Sequence, residues 1–182
     1  MLNLAKADNP EFGLGTIAMT VEERVSEFYE SAREEIYRFL LLRGIPPGPA
    51  QELVQEAFLR YYCELLDGKA IRSDRAWVTT VARNLGENWR AASPAAHQYE
   101  LDLELPSDPA SSSPELLLIG SERLRRLHDA VNALSPQQRQ CLHLRAEGFR
   151  YREIAGILGL ATSTVSEFLR RAVHRLRLAV EE

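Results

Sequence analysis

The sequence predicts an all-α protein: two small helical bundle domains joined by a flexible acidic linker, the C-terminal one containing a helix-turn-helix. Three observations carry that expectation. Apolar residues recur at three- and four-residue spacing in each periodic stretch, and the brief alternating run Tyr99 to Leu105 has no partner strand. Glycine and proline fall mainly in the gaps between those stretches. One gap, Ser93 to Glu115, is much longer than the rest and holds four prolines, a run of serines and no Lys or Arg.

In order along the chain, residues 1–20 show no periodicity and read as a mobile N-terminal arm, with Met19 a second candidate start. An amphipathic helix begins at Val21 and runs through Val25, Phe28, Ala32, Ile36 and Phe39 until "RGIPPGP", where Gly44 and three prolines forbid continuation. A second helix carries Leu53, Val54, Ala57, Phe58, Tyr61 and Leu65 and ends near Asp67 to Lys69. A third, from about Asp74, carries Trp77, Val78, Val81, Ala82, Leu85 and Trp89. Three helices with matching apolar faces can close a bundle, here residues 21–92.

After the linker, residues 93–115, helical spacing returns in residues 116–182 with Leu124, Leu127, Val131 and Leu134. It breaks at Ser135-Pro136, where Ser135 can cap the next helix and Pro136 can take its first position. That helix holds Cys141, Leu142 and Ala146 and stops at Gly148. Two short striped stretches follow, one with Ile154, Ala155 and Leu158, the other with Val165, Leu169, Ala172 and Leu176. Gly159 between them supplies the turn that a side chain would resist. Two helices that turn sharply on one another and share an apolar seam form a helix-turn-helix, whose second helix enters the DNA major groove.

Composition bounds the rest. A chain of 182 residues with an ordinary apolar fraction can fill two small cores. No apolar run reaches the length of a membrane span and the N-terminus lacks a signal pattern, so the expected location is cytoplasmic. Cys63 and Cys141 are too few for a disulfide framework and are expected to fill core space. The formal net charge of −4 is unevenly placed: residues 93–121 hold five acidic and no basic side chains, whereas residues 122–182 hold eleven basic against seven acidic. The basic excess coincides with the helix-turn-helix, and the acidic total argues against tight non-specific DNA binding by the free protein.

Three blocks, "QELVQEAFLRYY" (Gln51 to Tyr62), "RAWVTTVARNLGENWR" (Arg75 to Arg90) and "LSPQQRQCLHLRAEGFRYREIAGILGLATSTVSEFLRRAVHRLR" (Leu134 to Arg177), together resemble bacterial sigma factors of the extracytoplasmic-function group. These are the two-domain promoter-recognition subunits of RNA polymerase, and the likeness covers about residues 21–180 with a linker in the right place. The resemblance implies that the first domain binds the polymerase clamp and opens the −10 element. It implies that the second reads the −35 element and touches the flap of the β subunit. The linker would then pass through the channels that later carry RNA, a role that suits an acidic segment, and a plain solvated tether is the other reading. Promoter DNA and core RNA polymerase are the implied partners, with an anti-sigma factor a further one.

Spacing and resemblance together nominate residues. With the apolar stripe of the last helix facing a core, its opposite face presents Ser163, Glu167, Arg170 and His174, flanked by Ser166 and Arg171. By resemblance Ser166, Glu167 and Arg171 occupy the main −35 contact positions. Arg171 matches the family's habit there, whereas Ser166 and Glu167 depart from a basic residue followed by a small one. A carboxylate at Glu167 can accept from a cytosine amino group. Arg150 stands where the family often has a capping serine, leaving Glu153 as the other half of a capping box, and Ala161 replaces a usual cap, leaving Thr162 or Ser163 to serve.

In the first domain Glu52, Gln55 and Glu56 would face the clamp helices of the largest polymerase subunit by resemblance, against the alternative of a plain solvated face. Trp77 and Asn84, two turns apart, would sit at the fork where strands separate, with core packing the rival reading for Trp77. The loop from Asp67 to Asp74 would hold a flipped −10 base, and Lys69, Arg72 and Arg83 supply cations to that surface.

Catalysis finds no support. His97, His128, His143 and His174 are dispersed, Cys141 and His143 point to different helix faces, and no phosphate-cradling glycine loop is present. Neither a metal nor a cofactor is expected. Two rivals to the sigma reading stand: a stand-alone helix-turn-helix regulator, and a sigma-like protein that sequesters a partner without binding DNA.

Overall fold

The computed structural model describes residues 19–93 and 114–181, with side chains from Glu122 onward in the second span except Arg123. Seven helices and no strand occur among them: α1 (Val21–Leu42), α2 (Pro47–Leu66), α3 (Asp74–Ala92), α4 (Pro114–Asn132), α5 (Pro136–Ala146), α6 (Tyr151–Leu158) and α7 (Thr162–Glu181). The expected arm, save Met19 and Thr20, and residues 94–113 of the expected linker lie outside the described residues.

Local chemistry sets the boundaries. Thr20 caps α1 through a reciprocal pair in which the Glu23 backbone N–H donates to its hydroxyl and its own N–H donates to the Glu23 carboxylate. Gly44, at φ +77°, turns the chain out of α1, with the Ile45 N–H returning to the Leu40 carbonyl, and Pro47 and Pro49 sit in the first turn of α2, which has no use for their missing N–H groups. Ser73 caps α3, and Ser135 caps α5 with Gln138 answering it. Gly159, at φ +67°, closes α6 in the left-handed region where any side chain would be strained.

Helices α1, α2 and α3 enclose one core of Ala32, Ile36, Leu40, Ile45, Val54, Ala57, Phe58, Tyr61, Val78, Ala82 and Leu85. Leu40 and Ile45 press on Gly86 so closely that a Cβ there would lie 3.2 Å from the Leu40 side chain. Glycine at that point lets α3 approach α1. Each fully buried large aliphatic side chain contributes about 1.5–3 kcal/mol.

The second core gathers Cys141, Leu144, Phe149, Ile154, Ala155, Ile157, Leu158, Val165 and Leu169. It also contains Phe39 from α1, with Ala76 from α3 packed against it. The two cores are therefore in contact across α1 and α3 on one side and α5 and α6 on the other.

Two expectations are corrected. Cys141 fills core space, but Cys63 is exposed. It follows buried Tyr61 by two residues, about 200° around the helix, which carries it away from the core. Neither Thr162 nor Ser163 caps α7. The helix starts at Thr162, so Ala161 stands just before it, and its carbonyl receives the Val165 N–H without a side-chain cap.

Candidate nucleic-acid interface

The surface of α7 follows from its stripe. Val165, Leu169 and Ala172 are buried and Leu176 partly so, which turns Ser163, Ser166, Arg170, Arg171 and His174 to solvent, with Glu167 half-exposed among them. Glu167 is the centre of this face. Its carboxylate accepts from Arg170 Nε and Nη2, both at 2.9 Å, and from Arg171 Nε at 2.6 Å. Those hydrogen bonds pull its pKa down to about 2, so the carboxylate is charged at any working pH. One acid thus orients two guanidinium groups while leaving much of each free for an anion or a guanine edge.

Arg175 and Arg177 extend this face beyond the residues nominated from the stripe. Arg175 shares a groove with Ser135, Gln138, Arg170, Arg171 and His174, and it donates to the Ala133 carbonyl at the end of α4. Arg177 shares a second groove with Tyr151, Ser166, Arg170 and His174. Both cations were legible as the next turn of the polar face. Ser135 and Gln138 at the capped N-terminus of α5 also border the first groove, opposite its arginines. At α6, Arg150 offers no side-chain acceptor, yet the Glu153 carboxylate still accepts the Arg150 backbone N–H at 2.9 Å. The remaining half of that capping pair is intact.

The nominated residues of the first bundle divide into separate places. Glu52 and Gln55 are exposed on α2, and Glu56 is partly buried with Arg60 donating to it at 2.7 Å. Gln55 borders a groove with Tyr29, Arg33, Glu34 and Tyr37 of α1. Lys69 and Arg72 are exposed on the loop between α2 and α3, Lys69 donating to Glu64 at 2.8 Å. Asn84 is exposed. Trp77 is half-buried against the first core, its ring 6.0 Å from that of Tyr61, so it packs as well as presenting an edge. Arg83 is turned toward the α6–α7 turn, where its guanidinium lies 3.7 Å from the position of a Gly159 Cβ. The structure therefore brings the α7 residues together and separates Arg83 from the exposed cations Lys69 and Arg72.

Among the described residues, no group of three or more His, Cys, Asp or Glu side chains is placed to hold a metal ion, and no helix is long and apolar enough to cross a membrane.

Comparison with known proteins places these surfaces in a family context. The family described as Sigma-70, region 4 matches residues 124–176. The chain is 29% identical over 152 residues to the ECF RNA polymerase sigma factor BldN of Streptomyces coelicolor, covering 81% of this chain and 57% of that protein. It is 27% identical over 155 residues to the ECF RNA polymerase sigma factor SigK of Mycobacterium bovis, covering 84% of this chain and 83% of that one. Among solved structures, the sigma factor RpoE of Bartonella quintana, in complex with the anti-sigma factor NepR, has a similar fold. Its TM-score is 0.58 at 21% identity, over 87% of this chain and 97% of that chain.

Proposed function

We propose that the chain is an extracytoplasmic-function sigma factor that directs core RNA polymerase to promoters through α7 at the −35 element and through α3 and its preceding loop at the −10 element. Sigma factors are DNA-binding transcription initiation factors and not enzymes. The observation that carries the reading is the α7 face, where Glu167 holds Arg170 and Arg171 outward on the second helix of a helix-turn-helix. Phosphate contacts from Arg170, Arg171, Arg175 and His174 would set position, and Ser163, Ser166 and Glu167 would set sequence preference.

The other contacts follow the same division of labour. Glu52, Gln55 and Glu56 on α2 meet the clamp helices of the largest polymerase subunit, and the C-terminal helices meet the flap of the β subunit. Lys69, Arg72, Arg83, Trp77 and Asn84 serve −10 recognition and strand opening. The acidic segment between the bundles follows the path that RNA later takes. The protein works in the cytoplasm with polymerase, and an anti-sigma factor is a further partner, as NepR is for the similar RpoE.

The formal net charge of −4 makes the free chain a weak DNA binder. Labelled promoter is mixed with the protein at moderate salt, with and without core polymerase, and run-off transcription is followed in parallel. Specific binding and initiation are expected only with core enzyme. Tight sequence-specific binding by the protein alone would overturn the reading in favour of a stand-alone regulator.

A further inference from the structure

The loop between α2 and α3 is held at both ends, by different parts of the chain. At its start Gly68, at φ +71°, turns the chain out of α2, and the Lys69 N–H returns to the Glu64 carbonyl at 3.1 Å. The Lys69 ammonium adds a second tie, donating to the Glu64 carboxylate at 2.8 Å. Asp67, Gly68, Lys69, Ala70 and Arg72 are exposed, whereas Ile71 packs against the first core. At the far end Ser73 caps α3 and Asp74 opens that helix.

Helix α1 reaches this far end with one side chain. Arg24 Nη2 donates to Asp74 Oδ2 at 2.7 Å, a link between residues 50 apart in sequence. Trp77 lies about one turn beyond Asp74, its ring 6.0 Å from that of Tyr61. Tyr61 packs in turn on Phe28 of α1 at 5.4 Å. The ion pair and the aromatic row thus fix the first turn of α3 against α1, at the point where the loop enters the helix. The Arg24 and Asp74 side chains are 42% and 29% exposed, and an ion pair so near solvent adds little to stability. Asp74 also suits the positive end of α3 without Arg24, so the helix does not need the pair in order to start. What the pair supplies is the placement of the loop's end.

We infer that Arg24 is a positioning residue for base selection in the −10 element, acting through Asp74 on the loop from Asp67 to Ser73. The inference rests on the reading of that loop as the holder of a displaced −10 base. Arg24 acts from behind the loop, by fixing the residue on which it ends. A pocket misplaced by about 1 Å can lose on the order of 100-fold in rate while the fold around it persists.

The test uses holoenzyme assembled from core polymerase and the full-length chain. Templates carry the −10 sequence that the wild type selects from a randomised library, or single-base substitutions of it. Run-off rates give a selectivity ratio, preferred over substituted, at each −10 position, with −35 positions scored alongside and thermal unfolding as a control. Arg24→Ala is expected to lower −10 ratios about tenfold, leave −35 ratios unchanged and keep a melting temperature near the wild type. Arg24→Lys, which keeps a donor for Asp74, should retain most of the selectivity. Asp74→Ala should lower the same ratios, and adding Arg24→Ala to it should cost nothing more. A lower rate or melting temperature with −10 ratios intact would make the pair merely structural and overturn the inference. Losses that multiply in the double variant overturn it too, because Arg24 would then not act through Asp74. Ala70→Gly combined with Arg72→Gly tests the underlying reading separately. If that loop variant leaves −10 ratios unchanged, the loop holds no base and both readings fall. If it lowers them while Arg24→Ala does not, the positioning role of Arg24 alone falls.

Discussion

The Arg75 guanidinium lies 4.3 Å above the Phe149 ring while its Nε donates to the Glu35 carboxylate at 2.7 Å. One side chain from α3 therefore joins α1 to the start of the helix-turn-helix. Burial raises the pKa of Glu35, which the hydrogen bonds and charge of Arg75 oppose. Arg75→Ala is expected to lower stability by about 2 kcal/mol, because it leaves a half-buried carboxylate without its partner. Adding Glu35→Gln should recover part of that loss. Urea unfolding of the two single variants and the double gives the coupling, and strictly additive effects would show that the pair is not the source of the stability.

Acidification should weaken the contact between bundles through His143. Burial holds its pKa below the ordinary 6.5, Glu147 opposes that shift, and Arg38 of α1 and Arg75 of α3 reinforce it. The unfolded chain takes up a proton near pH 6.5, whereas the folded chain does so only at lower pH. Stability is therefore complete above that value and falls as pH drops below it. Urea midpoints between about pH 7.5 and 5.5 should decline for the wild type and flatten for His143→Gln. A parallel decline in both would assign the slope to other groups.

The helices were legible because their causes are local. Val21 could be placed at the start of α1 from its stripe, and Ser135-Pro136 and Gly159 announce a cap and a turn by chemistry that acts within four residues. The outward set on α7 was legible for the same reason, since Val165, Leu169 and Ala172 fix the opposite face. Phe39 shows where that logic ends. It continues the apolar stripe of α1, but whether it faces the core of its own bundle or that of the other depends on docking between segments about a hundred residues apart. No periodicity encodes that. The Glu167 fork lies between: the three-residue and four-residue spacings to Arg170 and Arg171 permit it, but spacing alone does not distinguish a carboxylate that contacts a base from one that holds two arginines.

That fork gives Glu167 an effect on −35 preference by either route, as a direct acceptor or as the group that aims two arginines. Glu167→Ala is expected to redistribute preferred bases at one or two positions, selected from randomised −35 sequences with holoenzyme. If the carboxylate acts through the arginines, Arg171→Ala should shift the same positions. If it reads a cytosine itself, Arg171→Ala should weaken all sequences alike. A preference profile unchanged by Glu167→Ala would leave the side chain no part in recognition.

Asn84→Ala should impair strand opening more than closed-complex formation. Asn84 is exposed on α3 two turns from Trp77, and among the described residues its side chain makes one hydrogen bond, a long one of 3.4 Å from neighbouring Arg83. Opening must unstack and unpair −10 bases at a cost on the order of a few kcal/mol per base, which contacts to the displaced base must offset. If Asn84 makes such a contact, the variant should lose run-off transcription on duplex template and recover on a template whose −10 region is already mismatched. Its melting temperature should match the wild type, because an exposed amide with one long bond contributes little to stability. Trp77→Ala serves as the contrast. It opens space beside Tyr61 and should lower the melting temperature as well as activity, with incomplete rescue by the mismatched template. Equal loss for Asn84→Ala on both templates would remove the residue from the opening step.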